Sequence, residues 1–190
     1  AVSDFMVVII TDAPTANAAS DQTVCANAPN VTLSGSVTVA AGGNWTTSGS
    51  GSFTPASTTL GATYNTSFAD TAAGSVTLTL TTTGNGLCSA VSDAMIVTIN
   101  PGIYVNAGTD QTVCANNPNV SLAGAVWGGT ATGRWTTGGS GTFNDSSLMA
   151  AVYSPSAADT TAGSVTLTLT STGNGACAAV TDIMVVTISS

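Results

Sequence analysis

A seven-residue stretch occurs twice in this chain, letter for letter. Asp-Gln-Thr-Val-Cys-Ala-Asn occupies residues 21–27 and returns at residues 110–116, an offset of 110 − 21 = 89 residues. Self-similarity at a fixed period is typical of proteins built from repeated structural units. A chain of 190 residues with this period therefore predicts two similar modules, each large enough to bury a core of its own.

The opening residues resemble the end of a repeat. Residues 1–12 match the segments that begin at Ala90 and Ala179, and both offsets are again 89 residues. We therefore predict three parts: residues 1–12 as the final strand of a preceding repeat, residues 13–100 as the first full repeat, and residues 101–190 as the second. The joints between them are short and contain Pro and Gly, so neighbouring repeats are expected to abut.

Two interpretations of residues 1–12 stay open. They complete an upstream repeat, or each repeat takes its last strand from the repeat before it and copies assemble by strand addition. The first is favoured, because Cys88 and Cys177 each lie just before the final strand of their own repeat.

Apolar and polar residues alternate with a period of two. Val76–Thr81 and Val165–Thr170 both read Val-Thr-Leu-Thr-Leu-Thr, which is typical of a strand with one buried face. About seven short strands per repeat, separated by Gly- and Asn-containing turns, predict an all-β fold of tandem immunoglobulin-like antiparallel β-sandwiches. No helix is expected, since the Ala-rich pieces 69–73 and 157–162 are short and flanked by Gly.

The charged residues exclude several classes of function. The chain has one basic residue, Arg134, and nine acidic residues, all Asp, and it lacks His. A net charge of −8 excludes a basic nucleic-acid footprint. General acid–base catalysis draws mainly on His, Glu, Lys or paired Asp, so no enzyme activity, cofactor or metal site is expected. The 43% of apolar residues nevertheless predicts a folded chain.

Four cysteines are spaced in the same way in both repeats. Cys25 and Cys88 are 88 − 25 = 63 residues apart, and Cys114 and Cys177 are 177 − 114 = 63 apart. Four cysteines allow three connectivities, and repeat symmetry favours Cys25–Cys88 and Cys114–Cys177. Such bonds would place the chain in an oxidising compartment. Free buried thiols are the alternative, and zinc is disfavoured because the chain has no His and no Cys-x-x-Cys.

The tryptophans fall into two kinds. Trp45 and Trp135 stand at corresponding places in the two repeats, which favours a buried sandwich tryptophan over an exposed binding residue. Trp127 has no counterpart in the first repeat, where Thr38 stands at that offset. Trp127 is therefore the candidate for a surface contact.

Taken together, these pieces resemble a known family. Each repeat is similar to the PKD-like immunoglobulin-type domains found in tandem in giant surface adhesins of Bacteroidota, including gliding-motility adhesins of the SprB type. The resemblance is carried in the second repeat by Val105–Cys114, Asn119–Gly124, Trp135, Tyr153, Val165–Thr170, Gly173–Cys177 and Val185–Ile188. The chain departs from standard PKD domains at their Trp-Asp-Phe-Gly-Asp-Gly motif, which here reads Trp-Thr-Thr-Ser-Gly from Trp45.

The resemblance implies a structural role outside the cell. It implies type IX secretion, display at the cell surface as a stalk or filament, and neighbouring repeats or further copies as partners; a glycan- or surface-binding adhesion module is the alternative. It also implies O-glycans on Asp-Thr motifs, for which Thr71 and Thr160 are the candidates at equivalent positions. A chance match in a Thr-rich chain is the other interpretation of that motif.

Overall fold

The computed structural model describes residues 2–189 of the chain. Eighteen strands and two short helices follow one another in nearly the same order in both halves. In the first half they are β1 (Thr15–Asn17), β2 (Gln22–Cys25), β3 (Val31–Thr32), β4 (Ser36–Thr38), β5 (Gly42–Thr47), β6 (Ser52–Thr54), β7 (Thr63–Asn65), α1 (Phe68–Ala73), β8 (Ser75–Thr83) and β9 (Ser92–Asn100). In the second half they are β10 (Ile103–Asn106), β11 (Gln111–Cys114), β12 (Val120–Ser121), β13 (Ala125–Gly128), β14 (Thr132–Thr137), β15 (Thr142–Phe143), β16 (Val152–Ser154), α2 (Ala157–Ala162), β17 (Ser164–Thr172) and β18 (Thr181–Ser189).

Each half forms the same set of sheets. A four-stranded sheet has the order β2-β9-β8-β5 in the first half and β11-β18-β17-β14 in the second. Three-stranded sheets, β3-β7-β6 and β12-β16-β15, and two-stranded pairs, β1-β4 and β10-β13, complete them. The all-β sandwich predicted from the alternation is confirmed. The pairing of β11 with β18 differs from the antiparallel expectation, because the two strands run parallel.

The alternation places one face of each strand in a core. In β8 the side chains of Val76, Leu78 and Leu80 are buried, while the threonines between them are less so. The second half repeats this arrangement in β17 with Val165, Leu167 and Leu169. Other large buried side chains include Trp45, Tyr64, Met95 and Val97 in the first half and Trp135, Tyr153, Met184 and Val186 in the second.

The prediction that the chain has no helix was wrong. Helix α1 is a single short helix with a reciprocal cap, in which the Ser67 side chain accepts from the Asp70 N–H and Asp70 accepts from the Ser67 N–H. Gly74 ends it at φ 77°, a left-handed conformation that favours glycine. Helix α2 has the same cap at Ser156 and the same ending at Gly163. Local capping therefore stabilises a turn that composition did not indicate.

The chain divides into two compact units whose boundary does not follow the sequence repeats. The first unit holds the residues up to Val24 together with Pro29–Ile99. The second holds the residues from Asn100 onward together with Cys25–Ala28. A four-residue segment that belongs by sequence to the first repeat is thus part of the second unit.

Residues 2–14 contain no strand within this chain. The large apolar side chains of residues 2–10 are exposed, including Phe5, Met6, Val8 and Ile10. Met6, Val8 and Ile10 correspond by the 89-residue offset to Met95, Val97 and Ile99, which are buried in β9. The assignment of residues 1–12 to another repeat stays a prediction. Ala1, the first of these residues, lies outside the described part of the chain, as does Ser190.

Candidate functional site

The repeated stretch at residues 21–27 supplies a set of structural contacts. The Asp21 carboxylate accepts a hydrogen bond from the Ile96 N–H over 2.8 Å, and the Gln22 amide donates to the Thr32 carbonyl over 3.1 Å. The second copy makes the same contacts, from Val185 N–H to Asp110 and from Gln111 to Ser121. The stretch therefore recurs because it fixes its own strand to the neighbouring strands of the sandwich.

The two copies differ at the cysteine that ends this strand. Cys25 is bonded to Cys177, with 5.0 Å between their Cα atoms and 152 residues between them in sequence. Cys88 and Cys114 are free thiols. The predicted pairs Cys25–Cys88 and Cys114–Cys177 are therefore wrong. The reason is the position of the Cys25–Ala28 segment, which packs with the second unit, whereas Cys88 belongs to the first.

The segment that carries Cys25 is held against the second unit by its backbone and by one side chain. The Ala26 N–H donates to the Asn100 carbonyl over 2.9 Å. The Asn27 side-chain amide bonds to both backbone polar groups of Ile103. Asn27 was not singled out from the sequence, although its place beside a repeated cysteine was a signal that could have identified it.

A buried carboxylate organises the other end of each sandwich. Asp70 and Asp159 are 2% and 4% exposed. Asp159 accepts hydrogen bonds from the N–H groups of Ser140, Gly141 and Ser156 at 3.0, 2.9 and 3.0 Å, and from the Tyr153 hydroxyl at 2.8 Å. Asp70 has the matching partners in the first unit. The loop that contains Ser140 and Gly141 is thereby tied to the cap of α2, as the loop that contains Ser50 and Gly51 is tied to the cap of α1.

These hydrogen bonds decide the protonation of the two carboxylates. Burial alone would raise the pKa of Asp159, but the donors, with the Ser156 N–H foremost, lower it to about 2. The pKa of Asp70 is lowered for the same reasons. Burial raises the pKa values of Tyr64 and Tyr153, and the adjacent carboxylates raise them further. Both carboxylates are ionised at neutral pH, and each accepts several hydrogen bonds that stabilise the surrounding loop and helix cap.

The predicted surface residues have different environments. Trp45 and Trp135 are each 1% exposed, as expected for core tryptophans. Trp127 is 48% exposed and stacks on Tyr104 with 5.7 Å between ring centroids and 20° between ring planes. This exposed aromatic pair lies on β10 and β13, where Tyr104 is opposite Trp127 in the register.

Thr71 and Thr160, the O-glycosylation candidates, lie in the two short helices. Their hydroxyls each donate a 3.0 Å hydrogen bond to the carbonyl of the N-cap serine, Ser67 or Ser156. The preceding aspartates are the buried carboxylates described above. The repetition of the Asp-Thr motif therefore has a structural cause, and glycosylation stays a prediction.

Within residues 2–189, no group of three or more potential metal-binding side chains comes together. The two helices in that range have six residues each, which is too short to span a membrane.

Several solved structures are weakly similar to this chain. No protein-family model and no curated protein matches the chain. Among solved structures, Sidekick-1 immunoglobulin domains 1–5 match 94% of this chain at 13% identity and a TM-score of 0.45, over 39% of their own length. Drosophila N-cadherin EC1-4 matches 94% at 13% identity and a TM-score of 0.40, over 50% of its length. Human protocadherin-24 EC1-2 matches 95% at 10% identity and a TM-score of 0.39, over 99% of its length. Sequence identities and TM-scores this low carry no argument about function.

Proposed function

We propose that this chain is a structural repeat segment of an extracellular bacterial surface filament or adhesin stalk, where it supplies length, rigidity and resistance to proteases. The observation that carries the proposal is the Cys25–Cys177 bond, which links residues of two successive sequence repeats. A disulfide at that place suits a chain that is pulled, because it joins consecutive repeats covalently in addition to their peptide joint. It also fits an oxidising location outside the cell.

The remaining parts of the proposal rest on the resemblance to the Bacteroidota adhesins. They are cell-surface display, type IX secretion and a place in gliding motility. The chain has one Arg and no Lys, so trypsin-like proteases have one cleavage site in it. This scarcity of cleavage sites favours a structural segment that persists outside the cell.

Single-molecule stretching from the two ends tests the mechanical role. In the reduced chain we expect one discrete unfolding event for each unit. In the oxidised chain the 152 residues between Cys25 and Cys177 are bypassed, so its final length is shorter by about 500 Å at ~3.4 Å per residue. An oxidised chain that extends to the full length of the reduced chain would contradict a load-bearing role for the Cys25–Cys177 bond.

A glycan- or surface-binding adhesion module is the second candidate function. The observation in its favour is the exposed Tyr104–Trp127 pair, since aromatic faces of this kind are common contact points for sugars and proteins. Binding to a glycan array by the full chain and by Trp127→Ala separates the two functions. Binding that is lost in the variant supports the adhesion module, and no binding by either protein removes it.

O-glycosylation at Thr71 and Thr160 forms a separate part of the proposal. Glycan mass on both peptides from the natural host would support it. Unmodified Thr71 and Thr160 peptides from the same preparation would contradict it.

A further inference from the structure

The two free thiols are the repeat equivalents of the two bonded cysteines. Cys114 corresponds to Cys25 and Cys88 to Cys177, each at an offset of 89 residues. The observed separation of 152 residues equals 63 within a repeat plus one period of 89. The bond thus follows a rule in which the first cysteine of a repeat pairs with the second cysteine of the repeat after it. Under that rule Cys114 would pair with the second cysteine of a following repeat, and Cys88 with the first cysteine of a preceding repeat.

In the second unit the Cys25–Cys177 bond satisfies this rule, and the Cys25–Ala28 turn is docked beside Cys177. Cys25 and Cys177 are 7% and 8% exposed, and their sulfurs lie beside the Pro101 carbonyl. The Asn27 side chain is bonded to both backbone polar groups of Ile103. The Cys25–Ala28 turn therefore occupies a site built from the joint at residues 100–103 and from the loop that carries Cys177.

In the first unit the corresponding site is open to solvent. A depression there is lined by Ile9 and Thr11, by Val39 and Ala40, and by the loop Gly84–Cys88. Thr11 corresponds to Asn100, and its hydroxyl lies 3.6 Å from the Cys88 sulfur. Ile9 and Val39 are 82% and 50% exposed in this depression. Cys88 itself is partly exposed, in contrast to its buried counterpart Cys177.

The matching segment of the second repeat already has the shape that docks. The Asn117 N–H donates to the Cys114 carbonyl over 2.9 Å, as the Ala28 N–H donates to Cys25 over 2.8 Å. The residue after each cysteine is bonded to the end of the last strand, Ala26 to Asn100 and Ala115 to Ser189. Cys114 is exposed at the tip of this turn. Docking therefore requires little ordering of the segment.

From this geometry we infer that the depression beside Cys88 is a docking site for the Cys114–Asn117 turn of another module of this kind, locked by a Cys88–Cys114 disulfide. Successive modules are then joined head to tail by staggered disulfides, an arrangement that does not close on itself and extends as a filament. The inference deepens the proposed structural role. Its failure would leave that role standing, because the stretching experiment concerns the Cys25–Cys177 bond and the two units alone.

The chemistry is thiol–disulfide exchange. The thiolate of Cys114 or Cys88 attacks a small disulfide oxidant such as glutathione disulfide, giving a mixed disulfide and one glutathione thiolate. The second cysteine then displaces the second glutathione, so that two thiols become one disulfide and the oxidant is reduced to two thiols. One contact is weaker than in the occupied site, because the counterpart of Ile103 is Pro14, which has no N–H to donate to an incoming Asn116.

The test has two arms that distinguish the source of the partner module. In the first, the full chain is oxidised in a glutathione redox buffer at high concentration and analysed by non-reducing electrophoresis and peptide mass mapping. A ladder of multimers linked through Cys88–Cys114 shows that a second copy fills the site. In the second, the chain carries one more copy of residues 101–189 at its C-terminal end. A bond from Cys114 to the appended copy of Cys177 shows that a following module fills it.

Serine variants supply the matched controls. Cys88→Ser mixed with Cys114→Ser is expected to give the heterodimer at least about tenfold over either homodimer, because only the heterodimer joins a turn to its site. A staggered disulfide observed in either arm supports the inference. It is overturned if Cys88 and Cys114 stay open to alkylation in both arms, if the appended cysteines pair within their own repeat, or if homodimers form in statistical amounts.

Discussion

The side-chain amide of Asn27 pairs with both backbone polar groups of Ile103: the Ile103 N–H donates to Oδ1 over 2.7 Å, and Nδ2 donates to the Ile103 carbonyl over 3.1 Å. Ile103 is 1% exposed, so water does not easily replace these bonds. We expect Asn27→Ala to lower the free energy of unfolding by about 2 kcal/mol, since a neutral hydrogen bond contributes ~1 kcal/mol.

The repeat provides the control for this measurement. Asn116 is the equivalent residue, is exposed, and makes no side-chain hydrogen bond to the described residues. Asn116→Ala should change the stability of the isolated chain by less than about 0.5 kcal/mol in the same denaturant titration. Equal losses in the two variants would show that the contact with Ile103 does not stabilise the second unit.

The four cysteines should separate into two pairs by their effect on stability. Loss of the Cys25–Cys177 bond in Cys25→Ser or Cys177→Ser is expected to cost roughly 5 kcal/mol in the chain-entropy treatment, because the closed loop spans 152 residues. Cys88→Ser and Cys114→Ser should be nearly neutral in a monomeric chain. In the monomeric chain, before any oxidative assembly, alkylation without reductant should label Cys88 and Cys114 but not Cys25 or Cys177, and labelling at Cys25 would contradict the structure.

The hydrogen-bonded carboxylates should make the fold sensitive to acid. The folded state lowers the Asp159 pKa from its ordinary 3.8 to about 2, so the ionised form stabilises the fold fully above pH ~4. This contribution is lost as the pH falls from about 4 to about 2, and the lowered pKa of Asp70 acts in the same direction. Unfolding free energies measured from pH 5 to pH 2 should fall, and the slope should be smaller in Asp159→Asn.

At neutral pH the same substitution should be costly. In Asp159→Asn the amide nitrogen cannot accept from the surrounding N–H groups, and we expect a loss on the order of 3 kcal/mol, as for bonds to a charged group. Asp145→Asn is the control, because Asp145 is exposed and its carboxylate accepts hydrogen bonds from Ser147, two residues away. A similar loss in both variants would show that burial and the donor set of Asp159 are not the cause.

Two adjacent glycines should respond differently to alanine. A Cβ at Gly139 would overlap Oδ1 of Asp159, whereas a Cβ at Gly138 would lie 3.5 Å from the Thr166 carbonyl, an ordinary contact. We expect Gly139→Ala to cost about 3 kcal/mol through displacement of the carboxylate, and Gly138→Ala to cost less than about 1 kcal/mol. The melting temperatures of the two variants provide the comparison, and equal values would contradict the tight approach at Gly139.

The sequence predicted the strands better than the connections between the repeats. The alternation in Val76–Thr81 indicated a half-buried strand because burial repeats with the pleat, and the paired Trp45 and Trp135 are core residues. The pairing of Cys25 could not be predicted by symmetry. A bond within each repeat and a bond staggered by one repeat both satisfy the 89-residue period, and only the packing of Cys25–Ala28 with the second unit distinguishes them.

The helices were missed for a different reason. A six-residue helix has little propensity of its own, and α1 is stabilised by the Ser67–Asp70 cap and by contacts of Asp70 with the distant Ser50 and Gly51. The sequence showed Asp70 as half of a glycosylation motif. Its role as a buried acceptor depends on a loop about 20 residues earlier, which no local pattern indicates.

The exposure of Trp127 gives the last prediction. Trp45 and Trp135 are 1% exposed and Trp127 is 48% exposed, so iodide should quench one tryptophan component and leave the other two. Trp127→Phe should remove the quenchable component, keep the stacking on Tyr104, and change stability by less than about 1 kcal/mol, because the ring is half in solvent. Trp45→Phe is the matched control and should instead destabilise the first unit by a few kcal/mol while leaving the quenchable component in place. Iodide quenching that persists in Trp127→Phe would show that a sandwich tryptophan is exposed, and would contradict the core assigned to Trp45 and Trp135.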